Sequence, residues 1–314
     1  MIKPYMRWRD RQTLFRNVEL PEHIMMGKLF AIGSCFAENV VGVLRKRQVD
    51  ARLAEAGLFY TPGTVANYLE LLSSDAPELT IFGAGDKCYA PQMETKWEGS
   101  EVALRETFEA QTRADRTWLS EADNVVITLG LNEQVIAHRN GEEYLCRQMP
   151  PMSVQKQLGD QLGFQIWTVA EIKRSLGDIL NAVRRVNPTA NLLFTVSPVP
   201  LHATFQSHDI RISNARSKYS LYAALQEFLE ENSNLYYFPS FEHAQILQMD
   251  GVFWEDDERH VTSKGIGELM AYLATYAGET PLVKNKPPLM SIYDLKRSFK
   301  KVVKRGMKAL GLTS

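Results

Sequence analysis

"KLFAIGSCFAENVVGVLRKR", residues 28–47, sets the architecture of the chain. Its first part is a short continuous apolar run, the pattern of a strand covered on both faces of a sheet. A helical pattern begins almost at once after it. Gly33, Ser34 and Cys35 therefore sit on a strand-to-helix turn, with two potential nucleophiles side by side. Three further apolar, β-rich runs read as buried strands: "NVVITLG" (124–130), "NLLFTVSP" (191–198) and "LYYFPS" (235–240).

Helical patterns lie between these runs. Residues 35–47 open one, and 61–74 form another with Pro62 near its first turn. Residues 168–186 are the clearest, with apolar positions at three- and four-residue steps. Residues 213–231 and 262–277 complete the set. Alternating strands and helices predict an α/β fold with a mostly parallel sheet and right-handed crossovers. Sites in such sheets form at the carboxyl ends of strands. Ser34, Gly130-Leu131-Asn132 and Ser197-Pro198 all fall at such ends.

The totals fit an ordinary globular protein. The chain has 314 residues, 45% hydrophobic and 23% charged, with a net charge of −1. A balance so near neutrality supplies no field for nucleic acid. Cys35, Cys88 and Cys146 are widely spaced and odd in number, which argues against a disulfide framework or a zinc site. The charged N-terminal stretch lacks the apolar core of a signal peptide, and no window has the length of a membrane span. These features predict a cytoplasmic protein.

Residues 1–281 read as one α/β domain, with a hairpin-rich, lid-like insertion at about 76–118. Residues 282–290 read as a Pro/Lys-rich hinge. Residues 291–312 form a basic amphipathic helix, suited either to an anionic inner membrane face or to docking on a protein surface.

Serine acyl transfer needs a nucleophile, a base, a group that orients the base, and donors for the oxyanion. Ser34 is exposed by its turn and sits at a helix N-terminus, whose N–H groups and dipole favour negative charge. The same position suits a plain N-cap. His260 follows Asp257 by three residues in a polar loop, the offset of an oriented base, although Asp256 and Glu255 compete for Asp257's role. Asn132, just past a strand, could donate its amide to an oxyanion or serve as a cap or turn residue. Cys35 reads as a small core hydrophobe, or else as a thiol activated by the helix N-terminus. Arg216 and Lys218 could bind an anionic group such as a CoA phosphate, or be solvated. His202 is the one other histidine near a motif.

Taken in order, these pieces resemble the GSCFA family, whose naming motif stands intact as Gly33-Ser34-Cys35-Phe36-Ala37. The resemblance continues through "GLFYTPGTV" (57–65), "ITLGLNE" (127–133), "FTVSPV" (194–199), "NARSK" (214–218) and "YFPSFE" (237–242). That family is similar to the SGNH (GDSL-like) hydrolases, which implies a three-layer, flavodoxin-like sheet and a Ser–His–Asp site. The resemblance implies Ser34 as nucleophile, Asp257 and His260 as acid and base, and Asn132 and Gly57 as oxyanion donors. It departs at Pro200-Leu201-His202 and at the Asp-Glu-Arg-His run before the final helix, which bears on substrate contacts.

The implied activity is serine-dependent O-acyl, chiefly acetyl, ester hydrolysis or transfer on a glycan or polysaccharide-pathway substrate, or on a small-molecule ester. Such chemistry requires no metal or prosthetic group, with acetyl-CoA an alternative acyl donor. A CoA-dependent transferase without hydrolysis and a non-catalytic binding protein on the same fold are the competing readings.

Overall fold

In the computed structural model the described residues are 27–83, 88–94, 99–249, 253–255, 261–262, 264–265, 267–269 and 271. The expected hinge and basic helix lie outside them, as does most of the expected helix at 262–277. No helix among the described residues is long and apolar enough to cross a membrane.

Five parallel strands make the central sheet: β1 (Leu29–Gly33), β2 (Ala51–Leu53), β3 (Asn124–Leu129), β7 (Asn191–Val196) and β8 (Leu235–Tyr237). Their spatial order is β2-β1-β3-β7-β8. This is the flavodoxin-like order, in which the chain winds outward in both directions from β1 and β3. Loops leaving those two strands diverge, so a crevice opens at their carboxyl ends. The carboxyl end of β1 is Gly33, paired with Thr128 of β3.

Side chains alternate across the sheet because strand periodicity is two. Phe30 and Ile32 pack with α2 (Pro62–Ser73), α5 (Val169–Val186) and α6 (Ile210–Glu231) on one face. Leu29 and Ala31 pack with α1 (Cys35–Lys46) and with Ala244 of α7 (Ser240–Met249) on the other. The result is three layers, α/β/α. Helix α5 follows its sequence signature closely, starting in a capping box between Thr168 and Glu171.

Two parts differ from expectation. Residues 101–118 of the expected hairpin-rich insertion belong instead to a 21-residue helix, α3 (Glu101–Glu121), capped by Ser100. Short antiparallel bridges join Phe82 to Tyr89 and Cys88 to Gly99, so hairpin character is confined to the preceding segment. The second difference is a small antiparallel sheet in the order β5-β4-β6, which the sequence did not suggest. It comprises β4 (Glu133–Arg139), β5 (Glu142–Cys146) and β6 (Leu162–Ile166), with the short helix α4 (Met152–Leu158) before β6. This sheet packs its own apolar cluster around Val135, Ala137, Cys146 and Val154.

Candidate active site

Ser34 lies at the divergence of β1 and β3 because its neighbour can be only glycine. Gly33 has φ +133°, and a Cβ there would lie 2.2 Å from the Thr128 carbonyl oxygen. The two strands approach so closely that the turn bends sharply into α1. Replacing Gly33 with alanine is expected to cost about 3 kcal/mol or more, from backbone strain together with overpacking. A urea midpoint indistinguishable from wild type would refute this account of the turn.

The Ser34 side chain is 2% exposed. Its Oγ is 2.9 Å from Thr128 Oγ1 and accepts a long bond from the Phe36 N–H, 3.4 Å, as the N-cap of α1. Ser34 thus caps the helix and lines a cavity, and the turn encloses it rather than exposing it to solvent as expected. Thr128 escaped the sequence reading, since a threonine inside an apolar strand looks like a β-former; only the parallel register puts it beside Ser34.

The cavity measures about 660 Å³ and is walled by Ser34, Gly130 and Ser197 from the sheet's carboxyl edge. Val135 and Cys146 of the small sheet and the segment 199–205 also contribute. A volume of this size accommodates a drug-sized molecule.

Cys35 also lines this cavity and is half-buried, so it is not the core hydrophobe expected. It occupies the first helical position of α1, where N–H groups favour a thiolate. Cys88 and Cys146 are buried, and burial pushes the Cys146 thiol up to about 11. Iodoacetamide at neutral pH should therefore add one carbamidomethyl group to the folded protein, on Cys35, and three in urea. Equal labelling of all three sites in the folded protein would refute that assignment.

The nominated oxyanion donors are engaged elsewhere. The Gly57 N–H donates to the Ala54 carbonyl at 2.9 Å. Its glycine is explained by φ +96° and by the Glu94 carboxylate, which a Cβ would strike at 2.1 Å. This corrects its expected role as an oxyanion donor. Asn132 is 1% exposed and absent from the cavity wall; its Nδ2 donates to the Trp167 carbonyl at 3.1 Å. Its backbone N–H donates to Ser217 Oγ at 2.9 Å. The Ser34 N–H donates to the Thr128 carbonyl at 3.1 Å.

Lys218 is the other correction. It is 1% exposed, and its Nζ donates to the Gly130 carbonyl at 2.6 Å. With Ser217 it ties the β3–β4 turn to α6 from beneath, and it has no surface to offer a substrate phosphate. Desolvation lowers its ammonium to about 7, while the nearby Cys35 pulls it upward. An ordinary lysine in the unfolded chain titrates near 10.4. The folded state therefore favours neutral Lys218, a stabilising contribution present above the unfolded value and lost as pH falls toward 7. Wild-type protein should gain more stability than Lys218→Met between pH 7.5 and 9.5 in urea titrations. Parallel pH profiles for the two would count against it.

Arg216 is exposed, off the cavity wall, and donates to Gln206 Oε1 at 3.0 Å. His202 is exposed on the wall itself. Asp257, His260 and the competitor Asp256 lie outside the described residues. Val261, next in sequence to His260, lines the cavity and bridges to Trp254.

Three buried charges shape the floor next to Tyr60 and Thr61. Arg147 donates to the carbonyls of Ala56 (2.6 Å), Leu58 (2.9 and 3.0 Å) and Gln92 (3.3 Å). Its guanidinium also pairs with Glu94 at 3.4 Å and lies over the Phe59 ring. Glu94 accepts from the Leu58 N–H, and Asp115 from the Glu55 and Ala56 N–H groups and from the Tyr68 hydroxyl. Burial raises the Asp115 carboxyl above its usual range, with these hydrogen bonds opposing the shift. The N–H groups of Glu55, Ala56 and Leu58 and the carbonyls of Ala56 and Leu58 are thus held by distant side chains that no local pattern foretells, while the N–H groups of Ala54, Gly57 and Phe59 bond to backbone carbonyls.

Among the described residues no cluster of His, Cys, Asp or Glu could hold a metal ion. A parallel α/β sheet with a serine-bearing turn at its switch point and a cavity above it defines the class of the protein. The chain belongs to the GSCFA family, whose model matches residues 28–272. A search of curated proteins found no match.

Several solved structures are similar. One is a protein from Streptococcus pneumonia provisionally named a platelet activating factor, at 15% identity and TM-score 0.41, over 85% of this chain and 90% of that one. Another is an acetyl-xylooligosaccharide esterase from Geobacillus, at 12% and 0.39, over 84% and 100%. A third is a carbohydrate esterase family 3 protein from Talaromyces cellulolyticus, at 12% and 0.34, over 79% and 94%.

Proposed function

We propose that the chain is a serine-dependent O-acyl esterase or acyltransferase that acts on an acylated glycan through a covalent acyl-enzyme. The observation that carries this reading is Ser34 itself: a hydroxyl at the switch point of the sheet, at a helix N-terminus, on the wall of a cavity of about 660 Å³. In this reading Ser34 Oγ attacks the ester carbonyl while His260 takes its proton and Asp257 orients the imidazole. The N-terminus of α1 meets the developing negative charge with its dipole. His260 then returns the proton to the leaving alcohol, and water or an acceptor hydroxyl resolves the acyl-enzyme.

With Lys218 buried, a CoA phosphate would lose one of the two cations nominated for it, which favours a glycan ester over CoA as the acyl donor. Residues 291–312 are proposed as a peripheral anchor at an anionic membrane face. Removal of residues 288–314 without any change in vesicle partition would end that proposal.

The reading is tested by intact-mass measurement after exposure to a serine-directed fluorophosphonate. One adduct is expected on the wild-type protein, absent in Ser34→Ala and slow to form in His260→Ala. Labelling that survives Ser34→Ala would move the nucleophile elsewhere, and no adduct under conditions that label a control esterase would remove the enzymatic reading.

A further inference from the structure

Phe205 lines the cavity yet is 39% exposed. Phe164 of β6, 45% exposed, stacks on it with ring centroids 5.2 Å apart and planes at 28°. Met149, 38% exposed, belongs to the same wall. Large apolar side chains left in water and contiguous with a cavity mark a binding surface.

The strand of chain that carries Phe205 is pinned rather than loose. Glu133, at the start of β4, is 3% exposed and accepts three hydrogen bonds from three successive residues. They come from Thr204 Oγ1 at 2.7 Å, the Phe205 N–H at 2.9 Å and Gln206 Nε2 at 2.7 Å. Gln206 is held in turn by Arg216, and the Leu201 N–H donates to Asn214 Oδ1 at 3.1 Å. A buried carboxylate and the start of α6 thus fix the backbone that carries Phe205, and the stack with Phe164 orients its ring. A ring fixed before binding loses little conformational freedom when a ligand arrives.

We infer that Phe205, backed by Phe164, is the platform on which a pyranose ring of the acylated substrate stacks. This deepens, and rests on, the esterase reading of Ser34. An acyl group fills a small part of a drug-sized cavity, so the wall beyond Ser34 has room for the alcohol portion of the ester. That wall mixes the aromatic ring with the polar side chains of Gln148 and His202. A pyranose ring matches the mixture: its C–H face packs against the electron-rich face of an aromatic ring, and its hydroxyl rim meets the polar groups. An aliphatic acyl chain would cover the same polar groups without bonding to them, at a desolvation cost.

The experiment compares wild type, Phe205→Ala and Phe205→Trp on three esters: methyl tetra-O-acetyl-β-glucopyranoside, vinyl acetate and ethyl octanoate. Phe205→Ala should raise KM for the sugar ester roughly 3- to 10-fold, the worth of one aromatic stacking contact. The ratio of kcat/KM for the sugar ester over vinyl acetate should fall by the same factor, and Phe205→Trp should restore it. A loss confined to ethyl octanoate would make the occupant an acyl chain and overturn the inference, as would an unchanged sugar-ester KM.

Binding of cellotetraose and chitotetraose, measured by saturation-transfer NMR, separates this inference from the esterase reading. If wild type hydrolyses none of the esters, the esterase reading fails. Sugar signals present in wild type and lost in Phe205→Ala would still support the platform, whereas no binding of either sugar to wild type would overturn it.

Discussion

Ser34→Ala is expected to lower turnover of an acyl ester by at least about 10³-fold, since a catalytic serine acts as a unit with its base. The same substitution removes the N-cap of α1, so a loss of about 1 kcal/mol in stability accompanies it. The two roles separate with Ser34→Gly. Glycine is nearly as good a cap as serine, costing only a few tenths of a kcal/mol, but it carries no nucleophile. Ser34→Gly should therefore unfold at almost the wild-type urea midpoint while matching Ser34→Ala in lost turnover. If Ser34→Gly retains turnover, Ser34 is a cap and nothing more.

The second large effect falls on stability. Arg147→Ala should cost about 3–5 kcal/mol, the range for breaking a buried ion pair from one side. The physical reason is the set of groups left behind. The carbonyls of Ala56, Leu58 and Gln92 would lose their donors, and the buried Glu94 carboxylate would lose its counter-charge. Burial lowers the Arg147 guanidinium to about 10 against the upward pull of Glu94, Tyr68, Asp115 and Tyr89, so at neutral pH the group is charged and needs its partners. Lysine is a poor replacement because one ammonium cannot reproduce the planar fork that meets several carbonyls.

Two measurements check this. Urea unfolding of Arg147→Ala and Arg147→Lys should show both destabilised, alanine more. The pair Arg147→Met with Glu94→Gln should be less destabilised than the sum of the single variants, because removing both charges leaves neither unpaired. Strict additivity would mean that the ion pair contributes nothing. Because segment 54–59 leads directly into Tyr60 and Thr61 on the cavity wall, the fluorophosphonate rate at Ser34 should also fall in Arg147→Ala under folded conditions.

Much of the architecture was readable without coordinates, for a simple reason. β1, β3 and β7 are covered on both faces, so their sequences are continuous apolar runs, and α5 carries a regular apolar stripe and its own capping box. The elements that were missed have different physics. β2 is three residues long and β5 is fully buried only at Cys146, so neither accumulates a pattern. Helix α3 turns Gln111, Thr112 and Asp115 inward; Asp115 serves the backbone of segment 54–59, and its polarity breaks the apolar stripe.

By itself the sequence determined the α/β class, the strand-to-helix turn at Gly33-Ser34 and the family, because these rest on local patterning and a contiguous motif. Tertiary structure decided the rest. It turned Cys35 to the cavity, buried Lys218 beneath Gly130, gave the Gly57 N–H to Ala54 and the Asn132 amide to Trp167, and fixed Phe205 through Glu133. Apart from the placing of Cys35, each of these is a choice of hydrogen-bond partner between residues distant in the chain or across a tight turn. A buried polar group takes whichever partner the packing brings within reach, and that choice is made only when the layers close.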